Sequence, residues 1–297
     1  MVLTGDFVLA ALRWLGHRDA VPYGARDRLL RLCCNPDRAP DKRFEADFFG
    51  LRYSGSLASY IDWIVFFYGA YEKGMLFLLR DLLRARGAAR PVFVDVGANT
   101  GHHALFMSRH AASVHAFEPY GEVRDIMVRR LAENGIANVT VHPVGLGAAD
   151  GRRPFFAPTT ANAGTGTFVA ERQEITGNVL AAELTVCAAD AYFAAHGIDR
   201  VDLVKIDVEG LEAEVLAGMK AVVARDRPAI VMEYSGTTRA RLPDEAALSA
   251  LVGDGYRLFS IAGPVHARRL AAFDAAAKGE DIATLPAAMA ERLGLAS

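Results

Sequence analysis

The sequence predicts an α/β fold built on a doubly wound, mostly parallel sheet, and three observations predict it. From Pro91 onward, short apolar runs alternate with segments of helical periodicity, the pattern of successive βαβ units. The first run, Val92–Val96, is β-branched and nearly unbroken, as a strand covered on both faces should be. It passes at once into a turn carrying Gly97, Asn99 and Gly101, and then into a helical stretch, His102–His110.

The remaining elements follow in order. Val114–Phe117 is a second strand, and Gly121–Asn134 a helix with apolar residues at Val123, Ile126, Met127 and Leu131, closed by Gly135 as a C-cap. Val139–Val144 is the third strand. Between Gly145 and Leu184 the periodicity weakens and turn residues cluster, most densely in ANAGTGT (Ala161–Thr167), so an insertion of loops or short antiparallel strands is expected there. Alternation then resumes: a helix near Ala188–His196, a strand Val201–Ile206, a helix from Leu211, a strand Ala229–Glu233, a helix in Asp244–Val252 and a strand Tyr256–Ile261. An Ala-rich tract begins at Leu270. The N-terminal part differs, with a hairpin expected at Phe44–Gly55 and an aromatic-rich helical stretch, Tyr60–Arg84, packing on the sheet or covering its open end. The expected organisation is an N-terminal extension over residues 1–85 and a cofactor-binding domain over 86–297, with the insertion at about 145–184.

Composition bounds the partners. With 297 residues and 52% hydrophobic content, the chain can bury a large α/β core. Its 33 Lys+Arg against 35 Asp+Glu leave a net charge of −2, so no global field points to nucleic acid or to a membrane surface, and neither is an expected partner. Cys33 and Cys34 are adjacent and Cys187 is far away, which makes no disulfide framework or zinc spacing and points to a reducing compartment. MVLTGDFVLAALRWLG has no basic start and no cleavage site, and WIVFF and MLFLL fall far short of a bilayer span, so a cytoplasmic location is expected.

The turn after the first strand decides the ligand class. A dinucleotide fingerprint starting at Gly97 needs glycine at positions 99 and 102, where this chain has Asn99 and His102. Asn99 can adopt a left-handed backbone, so the tight turn survives while its side chain fills space a pyrophosphate would need. Asp95 would repel phosphate and favour an ammonium or sulfonium. Glu118 ends the second strand 21 positions beyond Gly97, near the roughly 20-residue offset at which an acid meets ribose hydroxyls. A cationic, phosphate-free nucleoside fits these demands, and S-adenosyl-L-methionine is one. Each acid also has a structural reading: Asp95 as a strand-end carboxylate bound to amides, Glu118 as a cap before Pro119.

A second signature is LVKIDVEGLEAEVLAG, Leu203–Gly218. Lys205 and Asp207 share one face of a strand, and Glu209, Gly210 and Glu212 follow at the turn. In a doubly wound sheet the crevice opens where the strand order reverses, between the first strand and the fourth, so Asp95 and Asp207 should flank it.

With YGAYEKG (Tyr68–Gly74), VDVGANTGHHAL (Val94–Leu105), HAFEP (His115–Pro119), LVKIDVEGLE (Leu203–Glu212) and PAIVMEY (Pro228–Tyr234) in that order, the chain resembles the FkbM family of S-adenosylmethionine-dependent methyltransferases over roughly residues 60 to 260. The resemblance implies a class I methyltransferase (Rossmann-like) fold with a seven-stranded sheet whose last strands form a reversed hairpin. It also implies methylation of hydroxyls on sugars or secondary metabolites. It places Asp95, Gly97, Asn99 and Gly101 around the methionine part of the cofactor, Glu118 at the ribose and Asp207 near the transferred methyl. The paired His102 and His103 and the first 55 residues depart from its common pattern.

A hydroxyl is a poor nucleophile until its proton is removed, so a base is expected. The candidates are Asp207, Glu209 and His103; the alternatives are an ion pair with Lys205 for Asp207, a helix-start carboxylate for Glu209 and packing for His103. Glu72 lines the cofactor mouth or solvates a helix face. Asp207, Glu209 and Glu233 offer oxygen ligands for magnesium, but no binding-loop pattern accompanies them and no metal is expected. The acceptor is expected to be a small molecule or glycan, and the aromatic YIDWIVFFYGAY leaves room for a homodimer. The competing readings are N-methylation on the same fold, which needs no strong base, and a non-catalytic cofactor-binding module.

Overall fold

The computed structural model describes residues 5–18, 20–159, 166–169, 177–276 and 281–295. They fall into two compact units. The first ends at Tyr71 and includes a short stretch from Pro158; the second runs Glu72–Ala157 and resumes at Gly166.

The first unit contains α1 (Asp6–Gly16), α2 (Tyr23–Cys33), a hairpin of β1 (Arg43–Phe48) and β2 (Leu51–Ser56), and α3 (Tyr60–Tyr68). Phe48 pairs with Leu51, leaving Phe49 and Gly50 as a two-residue turn, both at positive φ (54° and 81°), as the twist of a hairpin demands. Its core joins Leu9 and Leu12 of α1 to Leu30, Leu57, Trp63 and Phe67. Gly16 is required at its site because a Cβ there would stand 2.1 Å from the Phe67 carbonyl oxygen. Buried Asp62 is satisfied by the Tyr53 hydroxyl at 2.8 Å and the Ser56 amide at 3.0 Å.

The second unit opens with α4 (Lys73–Ala85), which buries Met75, Leu76, Leu79, Leu82 and Leu83 and packs on the central sheet. The helical stretch expected over Tyr60–Arg84 is therefore two helices, divided where Gly69 takes φ 85° at the end of α3. Then come β3 (Val92–Val96), α5 (His102–Met107), β4 (Ser113–Phe117), α6 (Gly121–Glu133) and β5 (Val139–His142). The third strand stops at His142, two residues before the expected Val144, because Pro143 has no N–H to continue the ladder. The chain leaves the sheet there and forms β6 (Gly145–Gly147), β7 (Gly151–Ala157) and β8 (Val179–Ala188), a separate three-stranded sheet with β8 in the middle. Ala161–Thr165 of the turn-rich ANAGTGT run lie outside the described residues.

After α7 (Ala189–Ala195) come β9 (Leu203–Ile206), α8 (Glu212–Gly218), α9 (Lys220–Asp226), β10 (Ala229–Glu233), α10 (Gly236–Arg241), α11 (Glu245–Val252), β11 (Tyr256–Ala262), β12 (Arg269–Ala272), β13 (Asp281–Pro286) and α12 (Ala287–Arg292). The helix expected from Leu211 is broken after Gly218, where a Cβ would lie 2.0 Å from the carbonyl oxygen of Gly147 in β6. The central sheet runs β12-β11-β13-β10-β9-β3-β4-β5. Strands β10, β9, β3, β4 and β5 are parallel, and β13 enters antiparallel between β10 and β11. This is the class I methyltransferase order, the expected seven strands with an eighth, β12, added at the edge. The order reverses between β3 and β9, and because β13 runs backwards, its first residue rather than its last reaches the carboxyl ends of the parallel strands.

Candidate active site

The turn after β3 is held from three sides. The amides of Gly97 and Ala98 both donate to the Phe117 carbonyl at the end of β4, each at 3.0 Å. The Asn99 amide donates to Glu118 Oε2 at 2.9 Å, and Arg130 of α6 donates to the Thr100 carbonyl at 3.1 Å. Gly97 sits at φ 82° with the Asp207 carbonyl oxygen 1.8 Å from where a Cβ would be, so only glycine lets the ends of β3 and β9 close on each other. Gly101, at φ 79°, would drive a Cβ into Met127. Asn99 itself is left-handed at φ 51°. Glu72 and Glu209 also have positive φ, so three of the five non-glycine residues with that backbone among the described residues are candidate site residues. Such strain persists where surrounding structure holds it, often at functional sites.

Glu118 is buried and accepts from the Asn99 and Tyr120 amides, each at 2.9 Å. Burial nevertheless pushes its carboxyl up to about 7, against the pull of those two amides. The helix that a Glu118 cap would start at Pro119 begins instead at Gly121, with Tyr120 at its N-cap, so Glu118 does not cap it and binds the Tyr120 amide within the preceding turn.

Across the switch point, Asp95 of β3 stands in register with Lys205 of β9. Lys205 Nζ is 2.9 Å from Asp207 Oδ2 and 4.0 Å from Asp95 Oδ1. Burial opposes the ammonium, but Asp207, Asp95 and Glu72 together outweigh it and hold the lysine firmly charged. Asp95 is 0% exposed, and neither carboxylate oxygen makes a hydrogen bond of good geometry among the described residues. Burial lifts its carboxyl to about 6, with Lys205 opposing, Asp207 adding, and the nearby Ala104 amide lowering it. The sequence suggested a carboxylate facing an open crevice; the structure has it enclosed, with acceptor capacity in reserve.

His103 Nε2 lies 3.4 Å from Glu72 Oε2, which brings the start of α4 to the start of α5. Burial, reinforced by Lys205, pushes the imidazole well below its ordinary value, so it is neutral at physiological pH. Glu209 follows Asp207 by two residues; its carbonyl accepts from the Thr167 hydroxyl at 2.7 Å, and its carboxylate joins those of Asp207 and Glu233 within 4.8 Å. These three offer oxygen ligands of the kind that hold magnesium or calcium.

Two contributors were not foreseen. Arg130 interrupts the apolar face of α6 among Val123, Met127 and Leu131, and that misplaced charge was the available signal. Asp281 opens β13 opposite Glu233, at the same edge as Asp207. Burial, Glu72 and Asp207 push its carboxyl up to about 7, with Arg268 and Lys205 opposing. Its only sequence signal was an acid opening the apolar run DIATL inside an Ala-rich tract.

The residues present fit a cationic nucleoside. Asp95 has unused acceptors for an ammonium, the Gly97 turn leaves space a side chain would fill, and Glu118 is set beside the turn for hydroxyls.

Methyltransferase sdnD of Sordaria araneosa is 29% identical over 160 residues, covering 44% of this chain and 61% of that protein. Hexuronic acid methyltransferase AglP of Haloferax volcanii is 33% identical over 164 residues, covering 53% and 63%. The chain thus spans less than two thirds of the length of either relative. The solved structure of methyltransferase FkbM from Methylobacillus flagellatus KT shares 16% identity, with 66% of this chain and 43% of that one covered at a TM-score of 0.43. Residues 95–258 match the methyltransferase FkbM domain, from the buried Asp95 through both halves of the switch point to β11, and the chain belongs to that family.

Proposed function

We propose that this chain transfers a methyl group from S-adenosylmethionine to a hydroxyl of a sugar or secondary metabolite. The observation that carries the reading is the switch point itself: a glycine turn tied to Glu118, beside a buried Asp95 with open acceptors and the Lys205–Asp207 pair. Bound there, S-adenosylmethionine supplies an electrophilic methyl on a sulfonium. Asp95 would hold the ammonium end of the cofactor, Gly97, Asn99 and Gly101 its methionine part, and Glu118 the ribose hydroxyls. Glu72 narrows the mouth through its contact with His103.

The chain's remaining task is to seat the acceptor oxygen in line and take its proton. Orientation alone is worth up to about 7–11 kcal/mol in favourable cases. Asp207 is the foremost base, with Lys205 fixing its carboxylate at 2.9 Å; Glu209 is the alternative, and the neutral His103 is the third candidate. Carboxylates gathered at the mouth favour a hydroxyl, which must lose a proton, over an amine, which attacks without a base. The relative named for hexuronic acid supports a sugar as acceptor.

The test is turnover of S-adenosylmethionine with a panel of sugar and polyketide alcohols and matched amines, following S-adenosylhomocysteine and the methylated product. Methyl ethers support the reading. Exclusive N-methyl products, with a rate lacking the ionisation of an enzyme base, replace it; failure to bind the cofactor by calorimetry removes the enzyme reading.

A further inference from the structure

We propose that the first unit carries a separate binding site for an acidic saccharide, in the cleft between α1 and the hairpin–α3 face. The cleft has a volume of about 690 Å³, within the range of small-ligand pockets. Four cationic side chains line it, Arg13, Arg18, Lys42 and Arg43, with aromatic groups including Trp14 and Phe66. Lys42 is paired with Asp6, the only carboxylate among the described lining residues. Among the described residues, Arg13, Arg18 and Arg43 have no ion pair. A chain with net charge −2 therefore gathers in one concavity three guanidinium groups that have no carboxylate partner among the described residues.

Their setting selects the ligand chemistry. The Arg13 guanidinium lies over the Phe66 ring at 4.9 Å and that of Arg18 over Trp14 at 4.3 Å. A guanidinium held over an aromatic face keeps N–H donors for a carboxylate, which arginine can grip bidentately. Trp14 remains 60% exposed, and the cleft adds Leu9, Leu57 and Phe44, so C–H faces of a sugar ring meet apolar surface between the charges. A bare phosphate would use the cations and leave that surface in water. A carboxylate-bearing sugar uses both. In biological terms the site rests on the sugar-acceptor reading, since it would retain an acidic glycan by residues other than those at the methyl-transfer mouth, but binding at it can be measured without cofactor.

The experiment is calorimetric titration of the whole chain with trigalacturonate, maltotriose and citrate at low salt. Trigalacturonate should bind, weaken steeply with added salt, and lose about tenfold or more in affinity in the Arg18→Ala/Arg43→Ala variant, as expected when charge-assisted hydrogen bonds are removed. Maltotriose should bind far more weakly. Arg18 and Arg43 are both exposed, so the variant should keep its fold and its affinity for S-adenosylhomocysteine, which circular dichroism and a parallel titration check. No binding of trigalacturonate, unchanged affinity in the double variant, or citrate binding as tightly would each overturn the proposal. Intact cofactor binding in the same samples would show that the methyltransferase reading had not failed with it.

Discussion

The backbone amide of Asn99 donates to the Glu118 carboxylate at 2.9 Å, joining the turn after β3 to the end of β4. The residue that departs from a dinucleotide fingerprint is thereby the one that fixes the acid of the neighbouring strand. Replacing Glu118 by Gln keeps the size and removes the charge that the amides of Asn99 and Tyr120 stabilise. The expected outcome is weaker cofactor binding by about tenfold, the scale of one charge-assisted hydrogen bond, measured with S-adenosylhomocysteine. Unchanged affinity would dissociate Glu118 from the ribose.

Asp95→Asn should also weaken the cofactor, by about tenfold or more, while raising the stability of the empty protein at pH 8. The reason is the same burial that lifts its carboxyl to about 6: above that pH a charge without good hydrogen bonds is enclosed. Thermal denaturation of the empty protein and titration with S-adenosylhomocysteine read the two effects separately. A variant that binds normally would exclude Asp95 from the ammonium site.

Stability should depend on pH in a direction opposite to that of most carboxylates. Asp95, Glu118 and Asp281 have native values raised to about 6, 7 and 7, so between pH 4 and 7 the native state holds more protons than the unfolded chain. Their contribution is complete below the unfolded carboxylate values and is lost as pH rises through the native ones. The empty protein should therefore lose stability through these groups from pH 4 to 7, while affinity for the cationic cofactor rises over the upper part of the same window. A midpoint that climbs steadily across it, with no flattening in Glu118→Gln, would contradict the assignment.

Asp207→Asn should lower kcat by about 10²-fold or more, with cofactor affinity changed little, if its carboxylate takes the acceptor's proton. Unchanged turnover would remove it from the chemistry. Asp281→Asn makes a finer test. Its carboxyl, pushed up to about 7 by burial, Glu72 and Asp207, ionises near neutral pH, so any dependence of kcat/KM on pH near 7 that comes from it should be absent in the variant; an unchanged profile would mean that Asp281 does not bear on the chemistry.

The parallel half of the fold was legible because each element carried its own signal. Val92–Val96 is apolar throughout, α6 has its periodic face, and Gly97, Asn99 and Gly101 mark the turn. Asp95, Lys205 and Asp207 could be placed together because the crevice of a doubly wound sheet opens where the strand order reverses, between the first strand and the fourth. What escaped depends on partners distant in the chain. Asp281 acquires its meaning only when β13 turns back beside β10; β12 is four residues long and half alanine, and β13 stands in the same Ala-rich end of the chain. Helix breaks at Gly69 and Gly218 were missed for a related reason: at Gly218 the break follows contact with the backbone of Gly147, which no local pattern encodes.

Gly97 meets the Asp207 carbonyl through bare backbone, so the main chain at the proposed base is set by backbone packing, while Lys205 holds its carboxylate. Under the proposed function, variation can be redistributed across the mouth, at Glu72, Glu209, Glu233 or Asp281, without moving the point where methyl donor and base would meet. New acceptor preferences are accessible by changing these side chains one at a time, whereas Gly97 has no tolerated neighbour in sequence space.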